Sequence, residues 1–315
     1  MNPLPRVSIG LPVYNGERYL KTALDSLLGQ TFTDFELIIS DNGSRDRTAE
    51  ICQDYAKHDR RIRYYRHDQN RGAAWNQSHV VNLARGEYFK WGHHDDICAP
   101  EFLCRCVEVL DRFPEVVLVY PKTLVIDAEG AALHTYEDHF HLLQPRPEDR
   151  FHAYHDLVRN GHDCNPLHGL IRTATLKKTA LIASYPSSDL VLLGELVLHG
   201  QFYEVPEQLF FKRDHPQNSV RAFKTYRERV VYLSPEKRGK LQLTHWLWFF
   251  AYLKGIERAE LDQRSRVACY LEMLRWCRWK GHRLGKDLLK AAAWPLLSLY
   301  LNRPDKTLIS SGQAP

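Results

Sequence analysis

Over the first 130 residues, short apolar runs of strand character alternate with segments of helical period, and this alternation restricts the fold more than any other feature of the chain. Val7 to Leu11 reads as a buried strand, and Leu20, Ala23, Leu24, Leu27 and Leu28 then recur at helical spacing. Phe35 to Ser40 predicts a second strand and Thr48 to Ala56 a second helix. Ile62 to Arg66, Tyr88 to Trp91 and Val116 to Tyr120 read as further strands. Helical patterns at Ala73 to Ala84 and Glu101 to Phe113 separate them, the latter closed by Pro114. Such βαβαβ order predicts an α/β domain with a mainly parallel sheet covered by helices on both faces. Ligands of these sheets bind beyond the carboxyl ends of the strands.

Residues 131–163 are polar and rich in His, Pro and Asp, and read as a long surface excursion. Strand and helix patterns resume at Leu170 to Arg172 and Thr173 to Ala183. Asp189 to His199 is a strongly apolar helix and Phe202 to Val205 a last strand. From about Tyr226 the pattern is helical throughout. The expected organisation is a catalytic domain over residues 1–220 and a basic helical region over 221–315. The domain divides into a half at 1–130 and a second half at 131–220.

Each predicted strand delivers polar residues to one edge. Pro12, Val13, Tyr14, Asn15, Gly16 and Glu17 follow the first, and Asp41, Asn42, Gly43 and Ser44 the second. Asn70, Arg71, Gly72 and Asn76 follow the third, and His93, His94, Asp95 and Asp96 the fourth. Any one of these groups alone is a turn signal. Their joint placement on one edge points to a ligand site.

In order and spacing, these groups resemble family 2 of the glycosyltransferases, which have the GT-A fold. The matching pieces are Pro12-Val13-Tyr14-Asn15, Asp41 to Ser44, Asn70-Arg71-Gly72 with Asn76, Ala84-Arg85-Gly86-Glu87-Tyr88, and His94-Asp95-Asp96. The resemblance covers residues 5 to 130 well and about 165 to 220 more loosely. It implies an inverting transfer of sugar from a nucleoside-diphosphate donor to a hydroxyl of a glycan or lipid-linked glycan. It places Pro12 to Tyr14 against the base, with Asn15, Glu17 and Asn76 on the donor side. Asp41 can accept the N3–H of uracil or thymine, which favours UDP or dTDP. Arg71 could steer toward base or phosphate.

The leaving diphosphate gains charge as the glycosidic bond breaks, and a hard divalent ion, Mg²⁺ or Mn²⁺, suits that demand. The family's acidic motif is Asp-x-Asp, and here His94 stands where the first Asp would be. The expectation is Asp96 as principal metal ligand and Asp95 on ribose or sugar hydroxyls. His94 would be a further ligand or a hydrogen-bonding neighbour. Zinc is disfavoured, because no third and fourth ligand follow at a recognisable spacing. A basic, His-containing loop, Lys212 to Ser219, matches one that closes over the pyrophosphate in similar members. It contributes Arg213 as a donor contact and His215 near the metal. His168-Gly169-Leu170-Ile171-Arg172 resembles an acceptor-side segment whose glycine serves backbone approach.

The acceptor hydroxyl needs a base. The resemblance places a carboxylate for it at the start of a helix in the second half, which matches Asp189 after Ser187-Ser188. A helix cap is the rival role for Asp189, and Glu195 is the alternative base.

Charge is unevenly distributed. Residues 1–219 carry 24 Lys and Arg against 30 Asp and Glu, whereas residues 220–315 carry 19 against 8. Arg275, Arg278, His282, Lys286 and Lys290 fall at helical spacing, with Leu271, Leu274, Leu284 and Leu288 on another side. Such a helix can lie on an anionic membrane surface or pack as part of a soluble bundle. The N-terminal residues lack a signal-peptide pattern, and seven cysteines form no CxxC pair. A cytoplasmic protein with reduced thiols, peripheral to the membrane, is the expectation.

Two rival functions stand beside the enzyme. One is a nucleotide-sugar-binding protein of the same fold without turnover. The other, a nucleic-acid binder using the basic region, leaves the strand-end residues unexplained, so no nucleic-acid partner is expected. No GxGxxG or GxxxxGK[ST] follows any strand, which disfavours a dehydrogenase or a P-loop enzyme.

Overall fold

The computed structural model describes residues 4–301. Its first half is a parallel block. β1 (Val7–Val13), β2 (Phe35–Asp41), β3 (Ile62–Arg66) and β4 (Tyr88–Trp91) lie in the order β3-β2-β1-β4. Every residue of β2 and β4 is buried, as strands covered on both faces require. α1 (Leu20–Leu28), α2 (Thr48–His58) and α3 (Ala73–Leu83) are the crossovers. α1 buries Leu20, Ala23, Leu24 and Leu27, the stripe its period predicts.

The second half continues the same sheet. β5 (Ile97–Cys98), α4 (Phe102–Arg112), β6 (Val116–Ile126) and β7 (Ala132–Tyr136) come first. α5 (Pro147–Val158), β8 (Leu170–Arg172), α6 (Thr173–Lys177), α7 (Ser188–His199) and β9 (Gln201–Arg213) follow. β8 inserts antiparallel between β4 and β6, and β9 runs parallel to β6. Gly169 permits this insertion, since a Cβ there would lie 2.2 Å from the Val119 carbonyl oxygen.

Residues 131–163 are not the surface excursion that their composition suggests. They contain β7 and α5 and bury Phe140, Leu142, Phe151 and Tyr154. Polar residues disguise α5, and its buried arginine is satisfied internally. Arg150 donates to the carbonyls of Gln144, Pro145 and Val197. Two strands are also longer than expected, β6 reaching Ile126 and β9 reaching Arg213. The helix expected to Ala183 stops at Lys177, and Leu181 then takes φ +56°.

The helical C-terminal region begins with α8 (Ser219–Ala222) and α9 (Tyr226–Leu233) and continues in α10 (Thr244–Arg258) and α11 (Gln263–Leu301). Tyr252 and Ile256 of α10 and Met273 and Trp276 of α11 join the core beside α5 and α7. Glu195 of α7, 2% exposed, accepts two bonds from Arg258 of α10, at 2.7 and 2.8 Å, and one from the Ala180 amide. These contacts bind the helical region to the half that carries α7.

Candidate active site

β1, β2 and β3 end level, with Val13 paired to Asp41 and Asp41 to Arg66. The loops beyond them are laced together. The Asn15 amide donates to Ser44 Oγ, and the Arg45 amide to Asn15 Oδ1. The amides of Gly16, Glu17 and Arg47 donate to Thr48 Oγ1, Asp46 Oδ2 and Glu17 Oε2 respectively. Asn15 and Glu17, expected on the donor, thus hold the first two loops in register. Both also line an open cleft of about 780 Å³ with Arg18, Lys21, Arg45 and Arg47, although neither Asp95 nor Asp189 borders it.

Other expected donor contacts are turned inward. Val13 is buried in the core, so only its backbone is available. Asn76 is buried on α3, where Oδ1 accepts from Ser40 Oγ and Nδ2 donates to the Ser40 carbonyl. Its amide fixes α3 to β2 and does not reach the cleft edge. Asp41 is fully buried, with Oδ1 accepting from the Ser44 amide and Oδ2 from the Tyr64 hydroxyl. Tyr14 is exposed and Pro12 half-buried. Arg71 is exposed, its guanidinium 4.5 Å from the centre of the Trp75 ring.

Beyond β4, neighbouring carboxylates face different partners. Asp95 Oδ2 lies 3.0 Å from His215 Nε2. Asp96 Oδ1 accepts from the Arg213 amide at 2.9 Å, which ties it to the end of β9. Burial opposes ionisation of Asp95, yet its bond to His215 and the nearby His94 and His93 hold it well below the usual carboxylate range. Burial, then the Asp95 charge, drives Asp96 the other way. His215 therefore joins Asp95, not the expected Asp96. His94 packs under the first loop, since a Cβ on Gly16 would lie 2.7 Å from its ring.

Arg213 is not a phosphate contact in this arrangement. It is buried, and its guanidinium donates to the carbonyls of Asp95, Asp127 and Ala128. The Tyr19 ring lies 4.8 Å from both the Arg213 guanidinium carbon and the His215 ring centre. Arg172 likewise caps α4 through the carbonyls of Leu110 and Phe113.

Sequence spacing missed a histidine that joins this cluster. His93, Asp96 and His168 offer ligand atoms within 4.8 Å of one another. The His93 and His168 rings meet edge to face at 4.3 Å. Burial pushes His93 down to about 4, and burial with His93 and Lys90 holds His168 well below the ordinary histidine range, so both imidazoles are neutral. His168 lies far along the chain from His93, so no local motif could join them; only β8 beside β4 does. Lys212, paired with Asp163 at 2.7 Å, bears on the same cluster.

Asp189 stands in the first turn of α7 behind the N-cap residue Ser187, which is left-handed at φ +58°. The Asp189 carboxylate accepts from the Leu190 amide at 2.9 Å and bears on the Cys164 thiol. It is therefore not the cap residue. Glu195 is a structural ion pair, as described above, and drops out as a base.

The comparisons with known proteins agree with this geometry. The family model "Glycosyl transferase family 2" matches residues 8–172. An uncharacterised glycosyltransferase of Rickettsia typhi is 35% identical over 131 residues, 41% of this chain and 40% of that protein. The chain spans only 19% to 40% of the length of the rickettsial relatives it matches. Residues 1–349 of S. aureus TarS with UDP-GlcNAc superpose with a TM-score of 0.61 at 17% identity, covering 85% of this chain and 71% of that one. The mannosyltransferase PcManGT of Pyrobaculum calidifontis, with GDP-Man and Mn²⁺, gives 0.51 at 14% identity over 96% and 89%. These structures share the GT-A architecture, and the sequence match covers the donor-side loops and the acidic motif. The chain belongs to glycosyl transferase family 2.

Proposed function

We propose that the chain transfers sugar from a nucleoside-diphosphate donor to a hydroxyl of a glycan or lipid-linked glycan, in surface-polysaccharide or glycolipid synthesis. The observation that carries this reading is the Asp95–His215 pair, brought together at the edge where β1, β2 and β3 end. TarS and PcManGT, solved with UDP-GlcNAc and GDP-Man, support a nucleotide-sugar donor. UDP and dTDP are the donors proposed here, with Asp41 accepting a base N3–H in place of the Tyr64 hydroxyl. Tyr14 lies beside that base.

A carboxylate and an imidazole 3.0 Å apart form an oxygen–nitrogen donor set that fits Mn²⁺ or Mg²⁺ completed by phosphate oxygens. Asp95 and His215 would hold the ion, and Asp96 would anchor β9 beside it. The ion would supply positive charge to the departing diphosphate. Asp189 takes the proton of the acceptor hydroxyl as that oxygen attacks the anomeric carbon. The bond to the diphosphate oxygen breaks and its electron pair leaves with the diphosphate, inverting the centre.

The test is a thermal-shift panel of UDP, dTDP and GDP with and without Mn²⁺. We expect stabilisation by one diphosphate, enhanced by Mn²⁺, with the enhancement lost in Asp95→Asn. Full turnover in excess EDTA would remove the metal from the reaction. An Asp95→Asn variant that kept the Mn²⁺ enhancement would return the ligand role to Asp96.

We also propose attachment to the cytoplasmic face of an anionic membrane. No helix of the described residues is long and apolar enough to cross a bilayer. α11 nevertheless presents Leu271, Leu274, Leu288 and Leu289 to solvent, with Arg278, His282 and Lys286 also outside the core. Arg275 belongs to a pairing with Asp156 and Glu272, and Leu284 and Trp276 to the core. The exposed leucines and the remaining cations suit a lipid surface.

A further inference from the structure

Composition assigns residues 221–315 to a separate basic region, yet the chain leading into them leaves the Asp95–His215 pair and returns to the loop beyond β3. It starts at His215, against Asp95 beyond β4. Asn218 caps α8 by accepting from the Arg221 amide, and Arg221 pairs with Asp214. α9 opens on a capping box made by Thr225 and Glu228. α9 ends over the loop beyond β3, where Gly72 takes φ +94° and a Cβ would lie 2.4 Å from the Leu233 carbonyl oxygen. Lys237 then fastens the segment to the Ser184 carbonyl at 2.9 Å.

The strand order is β3-β2-β1-β4. A strap running from the end of β4 to the end of β3 therefore passes the ends of β1 and β2, where Tyr14 and Asp41 to Ser44 stand. Tyr232 lies on this strap, one residue before the contact with Gly72. Its ring stacks on Phe223 at 4.5 Å and 28°, and 38% of the residue remains exposed. A phenol keeps its proton at neutral pH, so the hydroxyl is a hydrogen-bond donor. Among the described residues of the strap, the hydrogen bonds are made by other groups and leave that hydroxyl available.

We infer that residues 219–237 form the roof of the donor site and that the Tyr232 hydroxyl donates a hydrogen bond to the donor's diphosphate. The inference rests on the nucleotide-sugar reading above. Phe223 fixes the ring from behind, and the Gly72 contact sets its distance from the strand ends. A phenol suits this position, because it donates to an anionic oxygen without adding a charge that would compete with the cation held by Asp95 and His215. Tyr232 is then a donor-binding residue contributed from outside the residues that the family model matches.

Tyr232→Phe keeps the ring and its stacking and removes only the hydroxyl. The experiment is calorimetry of the full chain with Mn²⁺, using whichever of UDP, dTDP and GDP binds the wild type most tightly, and the corresponding nucleoside. We expect the variant to lose about tenfold or more in affinity for the diphosphate, as for a bond to a charged group, with nucleoside binding unchanged. Diphosphate affinity within about twofold of wild type, or an equal loss for the nucleoside, would overturn the inference while leaving the donor reading intact. Failure of the wild type to bind all three diphosphates would remove the donor reading and this inference with it.

Discussion

Asp189→Asn and Glu195→Gln separate the carboxylate proposed as the base from a structural one on the same helix. Glu195 is 2% exposed and holds Arg258 through two bonds, at 2.7 and 2.8 Å. Breaking a buried pair costs about 3–5 kcal/mol. The Arg258 side chain is 34% exposed and can turn to water, so we reduce the figure to about 2–3 kcal/mol. At roughly 2–4 °C per kcal/mol for a large domain, Glu195→Gln should lower Tm by about 5–10 °C. Asp189 loses less. It is half-buried, its carboxylate bonds the adjacent Leu190 amide, and its helix-dipole interaction is worth about 0.5 kcal/mol. Asp189→Asn should therefore shift Tm by no more than about 2 °C. Its turnover should fall by about two orders of magnitude or more, the usual contribution of a general base. The assay is a melting curve, donor affinity and turnover for each purified variant. Near-normal turnover in Asp189→Asn, or a large stability loss there with modest loss of activity, would refute the assignment.

Two other outcomes test the buried charges and the exposed helix. Asp138 is 1% exposed, its Oδ1 has no partner among the described residues, and burial raises its carboxyl to about 8, with Glu204 adding to the shift against the Asn165 contact. The folded state then binds more protons than the unfolded one between about pH 4 and pH 8, so this group makes stability fall as pH rises through that window. Asp138→Asn should remove this fall and stabilise the protein by about 1–3 kcal/mol at about pH 8; a stability difference from wild type that is the same at about pH 5 and about pH 8 would contradict it. For the membrane, flotation with anionic vesicles should be lost at high salt and reduced by the double variant Arg278→Glu with Lys286→Glu, with turnover on a soluble acceptor unchanged; equal flotation with neutral vesicles would sink the electrostatic part of the reading.

The parallel half was legible because its strands are short segments rich in β-branched and aromatic residues, separated by segments of helical period. α1 shows this most simply, since Leu20, Ala23, Leu24 and Leu27 are the residues it buries. α5 was hidden for the opposite reason. Its buried positions Phe151 and Tyr154 are interleaved with Glu148, Arg150 and His155, which are also buried. Arg150 is satisfied by backbone carbonyls from residues up to 48 positions away, and no local pattern announces such partners. β9 was foreshortened because Pro206-Glu207-Gln208 interrupts the pattern before Leu209 to Phe211, while pairing along β6 carries the strand on to Arg213.

Sequence names the polar residues at the strand ends but not the directions their atoms face. Sequence places polar groups after each strand, and the structure keeps them at one edge. Whether a given oxygen faces the cleft depends on the loop that closes behind it. Asn15 and Glu17 show the effect, because the amides of Arg45 and Arg47 occupy oxygens that sequence alone leaves open to a donor. Asp95 and Asp96 show it most clearly. As neighbours in sequence they offer the same chemistry, but the turn after β4 sends one toward His215 and the other toward the backbone of β9. The difference in their proton affinities follows from that divergence, since a single negative charge is matched by His215 while a second beside it is not. On the reading proposed above, it is this divergence, and no difference in residue type, that assigns the cation to Asp95.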